Sequence, residues 1–326
     1  MLRRLVLPIV FAATGVCAVA AQAIAQTDYP HKPVKILVSY PPGGFVDTMA
    51  RLFGDRMGKE LHQPVIIENR PSSGSIIAGE TVTRAAPDGY TLLVADISMW
   101  AISPFMYKLP FDPMKDFEPV SMLGENNNYL SVSSKSPIPA NLPEAIKFLK
   151  AHPGQFHYGT PGVGSFHHLL MAIFESKTGV KLVHVPFKGV AQILPALAEG
   201  EIAIANHSLA GVSAYQSQGK IKLIGIIGGK RSTSYPDVPT MAEGGVQGMD
   251  IPGTIGLFAP KGTPRPIIDR LFQAVKASTI DPDMRNRLNA LTVTPLGISP
   301  EETTAMMKKE FSVFSAAAKD ANLKPE

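Results

Sequence analysis

Val34-Lys35-Ile36-Leu37-Val38-Ser39-Tyr40 runs straight into Pro41-Pro42-Gly43-Gly44-Phe45-Val46-Asp47, an apolar strand entering a glycine-rich turn. From that turn onward Val46, Met49, Ala50, Phe53, Met57 and Leu61 recur at helical spacing, which predicts an amphipathic helix with one buried stripe. The same pattern returns at His157-Tyr158-Gly159-Thr160, followed by Pro161-Gly162-Val163-Gly164-Ser165-Phe166-His167-His168-Leu169. A strand–turn–helix of this kind aims unpaired helix N–H groups and the positive end of the helix dipole at whatever lies above it. Glycine lets a carboxylate or phosphate approach that backbone closely. Two such cradles predict an anion held from two sides. The plainer reading is that each turn only rounds the corner of an αβ unit.

Nucleotide motifs can be tested against the second turn. Gly159 and Gly164 have P-loop spacing, but Ser165-Phe166 stands where Lys-Ser/Thr is required. Gly162-Val163-Gly164 begins a dinucleotide fingerprint, yet His167 occupies its third glycine position. Neither motif is present.

Working outward, Gln63-Pro64 ends the first helix and Val65-Ile66-Ile67 reads as a short strand. A helix is expected from about Ser75 to Ala86, stopped by Pro87-Asp88-Gly89, then a strand over Tyr90–Ala95. This alternation predicts parallel pairing and a three-layer α/β lobe. From Val120 to Ser134 the chain reads as extended and enters a second unit. That unit opens with a helix capped by Asn141. Strands are expected at Phe156–Gly159, Val180–Val185, Ile202–Ala205 and Ile221–Ile227, with a helix over Val190–Ala198. A return strand near Gly253–Pro260 and two C-terminal helices complete the pattern. Segments crossing near Leu123–Asn127 and Ile251–Gly256 would form a two-stranded hinge. The expected domains are a signal peptide at 1–25, a discontinuous first lobe at 26–124 plus 252–326, and a second lobe at 125–251.

Met1-Leu2-Arg3-Arg4 and the apolar run Leu5–Ala20 form the n- and h-regions of a signal peptide, and Ala23-Ile24-Ala25 places cleavage after Ala25. The run is short for a membrane anchor. Cys17, the single cysteine, lies inside it, so the exported chain would have no disulfide, thiol nucleophile or thiolate metal site. With Arg3 and Arg4 removed, 29 basic residues face 27 acidic ones, dispersed along the chain. That is no footprint for nucleic acid. The roughly 300 residues left exceed a comfortable single core, which favours two lobes.

The segments quoted above resemble the Bug receptor family, the extracytoplasmic substrate-binding proteins of tripartite tricarboxylate transporters. The resemblance runs from Tyr29-Pro30 to the C-terminal helices. It includes Pro41-Pro42-Gly43-Gly44 with Asp47, Ala50 and Arg51, then Glu68-Asn69-Arg70-Pro71 and Pro87-Asp88-Gly89-Tyr90. Tyr158-Gly159, Gly164-Ser165, His168-Leu169 and His184-Val185-Pro186-Phe187-Lys188-Gly189 continue it. Pro236-Asp237-Val238-Pro239-Thr240 and Gly262-Thr263-Pro264 close it. The resemblance implies a type II periplasmic-binding-protein-like fold, two three-layer α/β lobes with a hinge and a ligand between them. It implies a small organic acid as ligand (a di- or tricarboxylate, an aromatic acid or an amino acid), a periplasmic location, membrane transporter subunits as partners, and a monomer without cofactor. It also implies that the acid's carboxylate meets the backbone amides of the first cradle, partly through ordered waters. Phe45-Val46 and Thr254 depart from the family's commoner residues, the latter where many members carry tryptophan.

The candidate ligand-binding residues are Gly43, Gly44, Phe45, Val46 and Asp47 in the first cradle, and Thr160, Gly162, Val163, Gly164, Ser165 and His168 in the second. Ser98, Asn206 and His207 join them because they end strands on the side where α/β clefts form. His168 could bind the acid or fix its own loop, whereas His167 is expected to be exposed. Asp47 could position ligand through water or cap its own helix. Six of the eight histidines lie between His152 and His207, but none forms the i, i+4 zinc pair, so no metal is expected. No G-x-S-x-G elbow occurs, and no catalytic residue is assigned. An exported hydrolase in the same cleft and a metal-binding receptor are the competing readings.

Overall fold

The computed structural model describes residues 29–187, 192–209, 212–232 and 234–320. The expected signal peptide and the Lys188-Gly189 part of the family pattern lie outside these residues. Among them the strands form two sheets.

The first sheet contains β1 (Val34–Val38), β2 (Val65–Asn69), β3 (Thr91–Asp96), β4 (Phe117–Asn126), β10 (Gly253–Pro260) and β11 (Val293–Pro295), in the order β11-β4-β10-β3-β1-β2. The second contains β5 (Asn128–Ser133), β6 (His157–Thr160), β7 (Val183–Pro186), β8 (Ile204–Ser208) and β9 (Ile221–Ile227), in the order β7-β6-β8-β5-β9. β1 pairs in parallel with β2 and β3, as the βαβαβ pattern predicts. Only residue 127 separates β4 from β5, so the chain passes from one sheet to the other almost without leaving extended geometry. It returns on β10, whose Gly253 is opposite Asn126. The fold is the expected two-lobed α/β fold with crossing strands.

Helix α1 (Phe45–Leu61) buries the stripe read from the sequence, with Met49, Ala50 and Met57 fully enclosed against β1 and β3. Each of the two methionines contributes about 1.5–3 kcal/mol. α2 (Ile76–Thr83) is shorter than expected, and two short helices follow β3: α3 (Ile97–Ala101) and α4 (Ser103–Met106). α5 (Leu142–Ala151) is capped as expected, Glu144 N donating to Asn141 Oδ1 at 3.2 Å. α6 (Phe166–Thr178) follows the second cradle, and α7 (Ile193–Glu199) and α8 (Val212–Ser217) cover the other face of that sheet.

The C-terminal region has three helices rather than two: α9 (Arg265–Ile280), α10 (Pro282–Ala290) and α11 (Pro300–Asp320). Asp281 makes the extra break, because its side chain accepts from Met284 N and starts a new helix at Pro282. α11 packs on β4, α3 and α6, so it touches elements of both sheets. Its Glu310 accepts from Trp100 Nε1 and Thr254 Oγ1, both at 2.7 Å. Burial pushes the Glu310 carboxyl up to about 7, and the two donors oppose the rise. Thr254 is therefore fully buried beneath α11 and bonded there.

Candidate ligand-binding cleft

The two cradles differ in how much of their hydrogen-bonding capacity they consume. In the first, Gly43 holds φ +80° and Gly44 is the N-cap of α1 without a side chain to cap it. The leading N–H groups of a helix have no intrahelical partner, so this end stays available to an external acceptor. A Cβ on Gly44 would sit 3.4 Å from Pro41 O, an ordinary contact, whereas Gly43 has the backbone that disfavours a side chain.

Asp47 does not face that opening. It is 2% exposed, and Oδ2 accepts from Gly43 N at 2.8 Å and Arg51 Nε at 3.0 Å. Oδ1 accepts from Asn69 Nδ2 at 2.8 Å, and Asn69 Nδ2 also reaches Tyr40 O at 3.0 Å. Burial raises the Asp47 pKa, but the bonds from Arg51, Gly43 N–H and Asn69 outweigh it and hold the carboxyl below its ordinary value. The carboxylate that would repel an incoming anion is turned onto its own loop and paired with a guanidinium. Val46 is buried in the α1 core.

Phe45 is half-buried, packed on the same core as Tyr40. Phe45→Ala should therefore cost about 1–2 kcal/mol of stability, less than a fully buried truncation. If the exposed part of the ring also meets ligand, the ranking of a short aliphatic diacid against an aromatic acid will change. Melting temperature and the two affinities, measured on folded protein, separate these effects.

Ser98 is in the first turn of α3, its N–H donating at 3.1 Å to Oδ1 of Asp96, the N-cap. Tyr40 Oη donates to the same carboxylate at 2.9–3.0 Å. Burial raises the Asp96 pKa against these bonds. The Tyr40–Asp96 bond ties the ends of β1 and β3 behind the first cradle.

The second cradle is more self-contained. Ser165 caps α6 by accepting from His168 N at 3.2 Å, and its hydroxyl donates to Gly162 O at 2.9 Å. Gly164 N donates to His168 Nδ1 at 3.1 Å, so His168 fixes the loop through that nitrogen. Its ring stacks on His184 with centroids 4.3 Å apart, and Tyr158 extends the stack. Burial and then His184 push the His168 pKa down to about 4, so the imidazole is neutral at neutral pH. Thr160 is fully buried, with Oγ1 within 2.6 Å of His184 Nε2 and 3.1 Å of Gly162 O. Val163, at the tip, is 58% exposed. Gly164 has φ +73°, and a Cβ there would come within 2.3 Å of Met106 Cε on α4. Phe166 packs against Phe314 of α11 with the rings tilted and their centroids 5.9 Å apart.

His167 departs from the expected exposure. It is half-buried, Nδ1 lying 2.6 Å from Asn206 Oδ1 while Asn206 Nδ2 donates to His167 O at 2.8 Å. Both ends of the Asn206 amide are thus occupied in anchoring α6. His207 corrects the pocket expectation more strongly. One position along the strand, it points to the opposite face, where Nε2 lies 2.8 Å from Ser131 Oγ. Burial pushes its pKa down to about 4.

A groove of about 820 Å³ lies on the hinge, lined in part by Glu125, Asn127, Tyr129, Lys230, Asp250 and Glu310. No cradle residue lines it. Among the described residues, no group of three or more His, Cys, Asp or Glu is arranged to hold a metal ion.

Asn69, Arg51, Asp96 and Met106, which support the two cradles, do not stand out as site residues in the sequence. Asn69 and Arg51 lay within the quoted family pattern, which was the available signal. The contacts of Met106 come from tertiary placement alone.

Protein BugT of Bordetella pertussis is 30% identical over 317 residues, covering 97% of this chain and 96% of that one. The structure of R. palustris Rpa4515 with adipate is 29% identical with a TM-score of 0.81, covering 91% of this chain and 100% of that one. MatC from Rhodopseudomonas palustris with bound malate is 31% identical with a TM-score of 0.77, covering 89% and 100%. Residues 49–323 match the Tripartite tricarboxylate transporter family receptor, and the chain belongs to that family.

Proposed function

We propose that this protein is an extracytoplasmic receptor that captures a small organic acid between the two cradles and delivers it to a tripartite tricarboxylate-type transporter. The observation that carries the reading is the uncapped start of α1, with Asp47 turned away from it and neutralised by Arg51. A carboxylate placed there gains the helix dipole and the free amides together. The structural relatives with adipate and malate support the same ligand class. Residues 26–124 plus 252–326 form the first lobe and 125–251 the second, closing on the acid about the β4–β5 and β10 crossings. The first 25 residues direct export to the periplasm, and the receptor works as a monomer.

A hydrolase reading finds less support. The Ser165 hydroxyl is bonded to Gly162 O and His168 Nδ1 to Gly164 N–H, so the two do not form a nucleophile–base pair. Calorimetric titration of ligand-free protein with aliphatic diacids, aromatic acids and amino acids should give one saturable site for at least one acid, with no turnover. Protein that binds none of them would overturn the receptor reading.

A further inference from the structure

Asn128 is 1% exposed, and its Nδ2 is the one buried side-chain nitrogen among the described residues without a hydrogen-bond partner. Such a donor costs free energy until something accepts from it.

Its orientation follows from the sheet register. Residues directly opposite on antiparallel strands share a face. Leu130 is opposite Asn206, and Asn206 is bonded to His167 in the first turn of α6. Asn128, two positions along, is on that same face, one step nearer the strand end. β6 runs parallel to β8 and leaves that end as the second cradle. On the other side of the crossing, Asn126 is opposite Gly253, at the end of the first sheet where β1 and β3 deliver the first cradle. The two amides meet over Gly253. A Cβ built there would lie 2.7 Å from Asn126 Oδ1 and 3.6 Å from Asn128 Nδ2. The alternate residues Glu125, Asn127 and Tyr129 line the hinge groove instead.

We propose that Asn128 is a ligand-binding residue of the hinge: its Nδ2–H donates to a second acceptor oxygen of the acid, remote from the carboxylate held at α1. The inference rests on the receptor reading and adds a specificity to it. The cradle amides bind any carboxylate, and Asn128 rewards acids carrying a further carboxylate or hydroxyl. A buried amide bonded to a charged acceptor is a large increment, and the same donor is left unpaired by an acid that lacks it.

The test uses acids matched in chain length from four to six carbons, each as diacid, hydroxy-monoacid and plain monoacid, titrated into wild type and Asn128→Leu. Wild type should prefer the acids with a second oxygen group. Asn128→Leu should lose about tenfold or more in affinity for the preferred type. The ratio of diacid to plain-monoacid affinity should therefore collapse, and the ligand-free melting temperature should hold or rise, because an unpartnered donor has been replaced by an apolar group of similar shape. Loss confined to the diacids, or shared by the hydroxy acids, identifies the accepting group. An unchanged ratio of diacid to monoacid affinity, with or without a fall in melting temperature, would overturn the proposal alone. Wild type that binds no acid would overturn the receptor reading and this one with it. If Asn128→Leu fails to fold, Asn128→Ser, too short to reach, gives the same ratio.

Discussion

Asp47→Ala should cost about 3 kcal/mol of stability and reduce acid affinity by far more than tenfold. The substitution removes the side-chain acceptor of the exposed Gly43 N–H and one of the two acceptors of the half-buried Asn69 Nδ2, and it frees Arg51. Charge-assisted bonds of this kind contribute about 1.5–3 kcal/mol each, and water recovers part of that at the exposed Gly43 N–H. Arg51 is half exposed and recovers water, so its share is discounted. Affinity suffers more than stability because Gly43 N–H is pulled back by Asp47 into the left-handed turn that presents the start of α1. Asp47→Asn should be almost as damaging. Its single carbonyl can face Asn69 or the Gly43–Arg51 pair, and its NH₂ then confronts donors. The sign of the acid dependence follows. A carboxyl whose folded pKa is depressed contributes stability that is fully present above its unfolded value of 3.8 and is lost as pH falls through the folded value. Thermal melts of wild type and both variants, with titration of a bound diacid, measure each part. Variants that melt and bind like wild type would remove Asp47 from the account of the first cradle.

Much of this arrangement was legible as pattern. The stripe Val46 to Leu61, the parallel β1–β2–β3 unit and the cap at Asn141 follow from periodicity and local chemistry, which act over a few residues. The roles of polar residues within the cradles were less legible. Asp47 reads as a helix cap or a water-mediated ligand contact, and local pattern does not show which groups its carboxylate accepts from. It accepts from the residue four positions before it and from Asn69 on the neighbouring strand. His207 and Asn206 are adjacent in sequence yet face opposite layers, so one strand-end motif could not serve both expectations. Thr254 occupies a position where an aromatic cleft residue was the comparison, but Glu310, 56 positions away, claims its hydroxyl. Such pairings are set by which elements meet, which periodicity does not encode.

Gly164→Val is the second large effect, and the structure changes which quantity should respond. From sequence alone the side chain either pushes an anion off the backbone or, where the glycine holds a positive φ, destabilises the lobe itself. The geometry selects the second and adds a contact to it. With φ +73°, a β-branched residue costs about 1–3 kcal/mol in backbone strain. A Cβ would also lie 2.3 Å from Met106 Cε and 2.8 Å from Met106 Cγ. Met106 is flexible but buried against the core that joins α4 to α6, so it can yield only by disturbing that packing. The strain belongs to the loop itself and should lower the melting temperature of ligand-free protein. The contact joins the second cradle to α4, and relieving it separates them. It should therefore appear as lost affinity and a larger radius of gyration with ligand present. Gly164→Ala, Met106→Ala and the double variant separate the two terms. Met106→Ala should restore much of the affinity lost in Gly164→Ala while leaving the strain of about 1–2 kcal/mol in place. A purely additive cycle, with no recovery of affinity, would mean that Met106 does not transmit the effect and that displacement of the anion alone accounts for the loss.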